Sequence, residues 1–188
     1  MLLALLLTAT ALLPAQAGGS GKVFLTQEEA LELAFPKAEV EKETVYLTKE
    51  QRAEVEELAG SDLDSAVVRR YTARDAKGRL LGHAYFDRHK VRTLPEVLMV
   101  VVGPDGKVKR LEVLAFSEPL DYLPKGNWYA QFLGRELDDE LRIKNKIHNA
   151  AGATLTARAT LGAVRRSLAV DLVLGAPAPE DDEEGGGR

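Results

Sequence analysis

A segment of small residues and threonines precedes the last predicted helix of this 188-residue chain. Ala151, Gly152 and Ala153 leave room for a ligand to approach the backbone. The hydroxyls of Thr154 and Thr156 follow, at a helix start where the first N–H groups have no intrahelical acceptor. The helix dipole favours an anion at this end, so the segment suits a phosphate. Two interpretations stay open: a phosphate site that also includes Leu155, or a loop whose threonine caps an ordinary helix.

The helix itself is predicted over Thr156 to Leu174. Its apolar residues recur at helical spacing and form one stripe, and its arginines lie off that stripe. The stripe consists of Ala157, Leu161, Val164, Leu168 and Leu172, and the arginines are Arg158, Arg165 and Arg166. This pattern is typical of a helix that packs against the core of a domain.

Four strands are predicted in the middle of the chain, at residues 66–74, 79–87, 96–102 and 107–115. Tight turns at 75–78 and 103–106, each ending in glycine, join the first and the last pair. The third strand is almost continuously apolar, which indicates burial on both faces. Strands in sequence with tight turns predict an antiparallel β-meander.

Two short helices are predicted before these strands. Thr26-Gln27-Glu28-Glu29 and Thr48-Lys49-Glu50-Gln51 are both capping boxes, and Gly60 is placed to end the second helix. The fold class is therefore predicted as α+β: a single domain over residues 26–174, with an antiparallel β-meander sheet packed with N-terminal and C-terminal helices.

The two ends of the chain differ from this domain. Residues 1–17 form an apolar run closed by Ala15-Gln16-Ala17, which predicts a cleavable signal peptide. Export to the periplasm or another extracytoplasmic space follows, with an uncleaved membrane anchor as the alternative. Residues 18–25 are expected to be a flexible leader. Residues 175–188 are expected to be a disordered acidic tail, because they hold five of the 29 acidic residues and are rich in Pro and Gly.

Composition excludes several classes of function. The absence of cysteine excludes disulfides, thiolate metal sites, Fe–S clusters and a cysteine nucleophile. The net charge of −4 gives no electrostatic attraction to nucleic acid, so no nucleic-acid partner is expected. The three histidines, His83, His89 and His148, show no metal-binding spacing, and no metal site is predicted. No catalytic acid, base or nucleophile is assigned.

The segment from Ala151 to Thr156 resembles the Ser/Thr-Gly-Ala-Thr-x-Thr motif of the FMN-binding domain family. That domain occurs in the peripheral flavin subunits of the sodium-pumping NADH:quinone reductase and of the Rnf electron-transport complex. The order of elements upstream is similar too: a strand, a Gly-Pro-Asp-Gly hairpin, a second strand, Glu118-Pro119 and the segment 131–134. The resemblance covers roughly residues 81 to 170.

The resemblance implies an FMN cofactor and a specific acceptor atom. In the family, a flavin transferase joins FMN through its phosphate to the threonine that aligns with Thr154. This chain has His148 where the modified families carry an acid, and Ala151 where they favour Ser or Thr. Covalent FMN and tightly bound non-covalent FMN are therefore both open.

Further residues are candidates for contact with the flavin ring, which needs a flat apolar slot and a few polar groups. They lie in the stretch 91–96, with Arg92, Thr93 and Glu96, and at Glu118. The resemblance to the family implies an exported flavoprotein of electron transport. It also implies redox partner proteins in a membrane-associated complex.

A cofactor-free module remains the alternative. The opening helix Thr26 to Ala34 is similar to those of small secreted sensor domains that pair a helix with a meander, which bind or inhibit a partner. Two interpretations of the aromatic group Trp128, Tyr129 and Phe132 are open, and the first is favoured. It closes one end of the sheet as a plug, or it lines the pocket of a flat ligand.

Overall fold

The computed structural model of the chain describes residues 21–175. The predicted signal peptide, and the acidic tail apart from Gly175, lie outside the described residues. None of the helices within 21–175 is long and apolar enough to cross a membrane.

A six-stranded antiparallel sheet forms the centre of the domain, with the strand order β1-β6-β5-β4-β3-β2. The strands are β1 (Lys22–Val23), β2 (Glu39–Tyr46), β3 (Val67–Arg74), β4 (Leu80–Lys90), β5 (Pro95–Val102) and β6 (Val108–Phe116). The helices are α1 (Gln27–Ala34), α2 (Lys49–Ala59) and α3 (Thr154–Gly175), and two short 3₁₀ turns lie at Leu120–Tyr122 and Trp128–Phe132. The predicted α+β class with a single domain is confirmed.

Local sequence signals place most of these elements. Both predicted capping boxes are formed, with Thr26 and Thr48 each accepting from the backbone N–H three residues on. Gly60 ends α2 in the left-handed conformation, with φ of 68°. These bonds satisfy N–H groups that a helix start otherwise leaves unpaired, so both helices begin where the sequence predicts.

Two strands were missed by the sequence analysis. β2 follows α1 with the sequence Glu-Val-Glu-Lys-Glu-Thr-Val-Tyr, and most of its side chains are exposed. Such a charged strand is typical of a sheet edge, where charge discourages pairing with other chains. Residues 22–23, in the segment expected to be a flexible leader, pair as β1 with Phe116 and Ala115 of β6.

The sheet has a hydrophobic core on each face. On one face, α1 covers a small cluster that includes Phe35, Tyr71 and Met99. On the other, α2, α3 and the turn at 128–132 cover a larger cluster that includes Val100 and Val164. The third predicted strand, now β5, is buried on both faces as its apolar run indicates, because it contributes to both clusters.

Arg165 joins α3 to two other segments through backbone carbonyls. Its Nε donates to the carbonyl of Ala59 at 2.9 Å, and its Nη2 donates to that of Leu58 at 2.8 Å. Its Nη1 donates to the carbonyl of Asp138 at 2.8 Å. The last carbonyls of a helix lack intrahelical partners, so Arg165 supplies the donors that the end of α2 needs.

The first prediction concerns this residue. Arg165→Met keeps the apolar stem but leaves these carbonyls without donors, which should lower the free energy of unfolding by about 2 kcal/mol. Urea denaturation followed by circular dichroism measures the change. The control is Arg158→Met on the exposed side of the same helix, expected to change stability by less than about 0.5 kcal/mol. Equal effects of the two substitutions would contradict this role of Arg165.

Candidate functional site

The start of α3 has no side-chain cap. The helix begins at Thr154, two residues before its predicted start, and its first intrahelical bond runs from the N–H of Ala157 to the carbonyl of Ala153 at 2.9 Å. The N–H groups of Thr154, Leu155 and Thr156 precede that bond, and no acceptor for them occurs among residues 21–175. Alanine at the cap position offers none, in contrast to the threonines that cap α1 and α2. The interpretation as a threonine-capped helix is therefore wrong.

The turn before the helix presents the hydroxyl of Thr154. The N–H of Ala153 donates to the carbonyl of Ala150 at 3.0 Å, and Gly152 closes the turn with φ of 78°. This left-handed conformation favours glycine strongly. The side chain of Asn149 donates from Nδ2 to Thr154 Oγ1 at 3.0 Å. The Thr154 hydroxyl is thus oriented by an acceptor bond while its own proton remains free.

Thr156 faces the interior instead of the ligand side. Its side chain is fully buried, and its hydroxyl donates to the carbonyl of Tyr122 at 2.6 Å. The expectation that this hydroxyl points outward with that of Thr154 is wrong, because the two residues lie on different sides of the helix. Its bond to Tyr122 attaches the start of α3 to the 3₁₀ turn at 120–122.

Glu118 organises the neighbouring loop. Its Oε1 accepts from the backbone N–H groups of Arg92, Thr93 and Leu94 at 3.2, 2.6 and 2.8 Å. These N–H donors, those of Thr93 and Leu94 above all, lower the pKa of the Glu118 carboxyl. The carboxylate therefore fixes the turn between β4 and β5, leaving the side chains of Arg92 and Thr93 exposed.

Exposed apolar side chains lie on these connected segments. We define the apolar rim as Leu94, Leu120, Tyr122 and Leu155, whose side chains are 39%, 46%, 38% and 48% exposed. Leu94 belongs to the turn that Glu118 holds, two belong to the 3₁₀ turn just after Glu118, and Leu155 belongs to the first turn of α3. Large exposed apolar side chains on connected segments are candidates for contact with a ligand.

Glu96 is a candidate for flavin contact in the sequence, together with Arg92 and Thr93, but its side chain does not reach the surface. Its side chain is fully buried, and its Oε2 lies 3.0 Å from Nε2 of His89. The hydroxyls of Tyr129 and Thr160 donate to the two carboxylate oxygens, each at 3.4 Å. These partners leave Glu96 no access to a ligand at the surface, so we assign it to a structural network.

That network continues through His89 to α3. Nδ1 of His89 lies 2.9 Å from Oδ1 of Asp87, and Arg166 binds both oxygens of Asp87 at 2.9 Å. Both ring nitrogens of His89 face carboxylates, and only the imidazolium form donates from both. Burial lowers the pKa of His89, but the hydrogen bonds and charges of Asp87 and Glu96 outweigh it and raise the pKa above its ordinary value.

The sequence analysis missed this network, although a signal was present. Tyr85, Asp87 and His89 alternate along β4, so they lie on one face of the sheet. Polar residues at that spacing, facing a helix with adjacent arginines, indicate a polar interface. Their carboxylate partner, Glu96, lies on the next strand, opposite His89.

The aromatic residues form the plug. Trp128 is 9% exposed and Phe132 is fully buried, and both belong to the larger core cluster. Nε1 of Trp128 donates to the carbonyl of His148 at 2.7 Å, and the N–H of His148 donates to Oε1 of Gln131 at 2.8 Å. The plug therefore also positions the segment that leads into Thr154.

No protein-family model, curated protein or solved structure matches the chain. Within residues 21–175, no group of three or more His, Cys, Asp or Glu side chains could hold a metal ion.

The second prediction concerns pH. Because the folded state raises the pKa of His89, its contribution to stability is fully present below the ordinary value of 6.5 and is lost as pH rises through the folded pKa. Asp87, Glu96, Arg166 and Tyr129 are the titratable groups that surround it. His89→Gln should therefore flatten the fall in unfolding free energy that occurs as pH rises above 6.5. Urea denaturation at several pH values measures this.

The control for this experiment is His148→Gln. His148 is exposed, so its replacement should leave the pH profile of stability as in the natural protein. Parallel profiles for the natural protein and for His89→Gln would show that His89 is not the titrating group.

Proposed function

We propose that this chain is an exported flavoprotein that binds FMN at the start of α3 and relays electrons at or outside the cytoplasmic membrane. The single observation that carries the proposal is the uncapped helix start, where three N–H groups and the oriented Thr154 hydroxyl lie within one turn. The sequence from Ala151 to Thr156 adds its resemblance to the FMN-binding family.

The donors at this position suit a phosphate. N–H groups and a hydroxyl lie at the positive end of a 22-residue helix, which favours an anion by about 0.3–1 kcal/mol at an exposed site. Arg158 lies one turn after Thr154, on the same side of the helix, and is exposed. No carboxylate partner for Arg158 occurs in the described part of the chain, which leaves its charge available to a phosphate.

The surroundings suit a flat ring. The apolar rim offers contact area to an aromatic ring system, and Arg92 adds an exposed cation on the turn that carries Leu94. The Thr93 hydroxyl already donates to Oε1 of Glu118 at 3.2 Å, so it serves the turn and not the ring. When bound, the flavin would supply the electron chemistry, so the protein needs no catalytic acid or base of its own. Glu118 contributes indirectly, since it holds the turn that carries these side chains.

Thr154 Oγ1 is the proposed point of covalent attachment. Asn149 occupies one lone pair of this oxygen and leaves the other to attack phosphorus. The hydroxyl loses its proton in that step, and the bond between phosphorus and the leaving group of an activated flavin nucleotide breaks. A flavin transferase is the proposed partner for that step, and redox proteins, some of them membrane-bound, are the proposed partners in electron transfer. Tightly bound, non-covalent FMN on the same N–H groups is the close competitor.

The third prediction separates covalent from non-covalent binding. The natural protein, co-expressed with a flavin transferase, should gain the mass of FMN less one water on the intact chain, as a phosphate ester requires. Thr154→Val should lose this gain because it has no hydroxyl. Thr154→Ser keeps the hydroxyl and should restore the gain. If the natural protein binds FMN reversibly and never gains mass, attachment is non-covalent; if it carries no flavin absorbance in either form, the proposed function is wrong.

The fourth prediction tests the turn before the helix. Gly152→Ala places a side chain at φ of 78°, which costs about 1–2 kcal/mol and distorts the turn that presents Thr154. Gly60→Ala is a matched control, because Gly60 has φ of 68° and equally open surroundings. Both variants should lose similar stability, but only Gly152→Ala should lower flavin content, measured by absorbance per protein. Equal flavin content in the two variants would contradict the proposed site.

A further inference from the structure

Strands β3 and β4 separate along part of their length. Their last pair is Arg70 with Tyr85, although β3 begins at Val67 and β4 continues to Lys90. Beyond that pair, β3 is paired only with β2, and β4 only with β5. The opening, which we name the β3–β4 cleft, has a volume of ≈ 760 Å³, within the range of ligand sites.

The cleft exposes unpaired backbone groups of β4. The N–H of Val91 donates to the carbonyl of Leu94, which marks a hydrogen-bonded pair between β4 and β5. Backbone groups point to alternate sides along an antiparallel strand. The odd-numbered residues of β4 therefore bond to β5. The Arg70–Tyr85 pair holds the N–H of Phe86 on the carbonyl of Arg69, so the C=O of Phe86 and the N–H and C=O groups of Arg88 and Lys90 point into the cleft.

The facing edge of β3 is unpaired as well. The N–H of Leu47 donates to the carbonyl of Ala66, so by the same alternation the even-numbered residues of β3 bond to β2. The N–H group of Arg69 and the C=O group of Val67 point into the cleft, whereas the C=O of Arg69 accepts from Phe86. The N–H of Val67 already donates to Ser65 Oγ at 2.9 Å. Two strand edges thus face each other without a ladder between them.

The charges around the cleft are unequal on its two sides. On the α1 side lie Arg69, Arg88 and Lys90, all exposed, and no carboxylate within residues 21–175 pairs with them. Two exposed carboxylates, Asp62 and Asp64, line the cleft on the loop before β3. On the α3 side, Asp87 and His89 already bond to Arg166 and to each other. An occupant with acidic side chains toward α1 would complement this arrangement.

We propose that the β3–β4 cleft binds an extended acidic peptide segment of a partner protein, which adds to the sheet as a strand. Backbone hydrogen bonds to the two edges give affinity, and alternate acidic side chains facing the three cations give specificity. This inference does not rest on FMN binding. Arg166, which lines the cleft, lies 12 positions after Thr154 on α3, or about 18 Å along the helix axis.

Amide hydrogen exchange measured by NMR tests the proposal in the full chain. In the free protein, the N–H groups of Arg69 and Arg88 should exchange faster than those of Asp87 and His89, which bond to β5. The probe is a synthetic peptide of about eight residues with alternating Thr and Glu. Its addition should slow exchange at Arg69 and Arg88, whereas a peptide with Lys in place of Glu should not.

Two substitutions of Arg88 separate the contribution of its charge to peptide binding from that of its backbone N–H. Arg88→Ala removes one cation and should weaken binding of the Glu peptide about threefold. Arg88→Pro also removes an N–H that points into the cleft while sparing the ladder with β5, and should weaken binding about tenfold further. Protection of Arg69 and Arg88 in the free protein, no protection by the Glu peptide, or equal affinity of the two variants would each overturn the proposal.

Discussion

The adjacent residues Arg165 and Arg166 fix the position of α3, and the rest of the domain depends on that position. Arg166 binds Asp87 of the sheet, whereas Arg165 binds the carbonyls at the end of α2 and at Asp138. A partly buried guanidinium without its partners costs free energy, so neither bond is easily given up. With one arginine directed to the sheet and the other to α2, the helix can neither rotate nor slide without losing a set of bonds.

This constraint extends to the buried network between α3 and the sheet. Asp87, His89, Glu96 and Arg166 bring two negative and two positive groups together when His89 is protonated, so the group is formally neutral. Apolar packing alone tolerates small shifts of a helix, whereas hydrogen bonds of about 2.9 Å specify one register. The interface thus makes the helix start a fixed point, which a ligand site at Thr154 requires.

The two proposed binding surfaces offer different backbone groups to a ligand. At the start of α3, the available groups are helix N–H donors that no side chain caps, beside the apolar rim. At the β3–β4 cleft, they are strand N–H and C=O groups that no neighbouring strand pairs. In both places the part of the chain that the structure describes, residues 21–175, leaves backbone hydrogen-bonding groups without partners. Such groups near the surface are ready to bind a ligand.

The sequence by itself determined the features that rest on neighbours along the chain. The capping boxes at Thr26 and Thr48, the left-handed Gly60, the hairpin turns and the extent of α3 to within two residues at its start all follow from local hydrogen bonds and conformational preference. The α+β class follows from the order of these elements. The small residues before Thr154 and the free helix start were also readable, because helix ends obey local rules.

Only the tertiary structure decided which groups meet across the fold. β2 was missed because its many charged residues hide the alternation of apolar and polar residues that is typical of a strand. The segment forms a strand by pairing with β3. Thr156 turned inward because the carbonyl of Tyr122 lies within its reach, and Glu96 became a buried network partner because His89 sits opposite it. Such contacts join residues that are far apart in sequence. Propensity and periodicity carry no information about which residue becomes the partner.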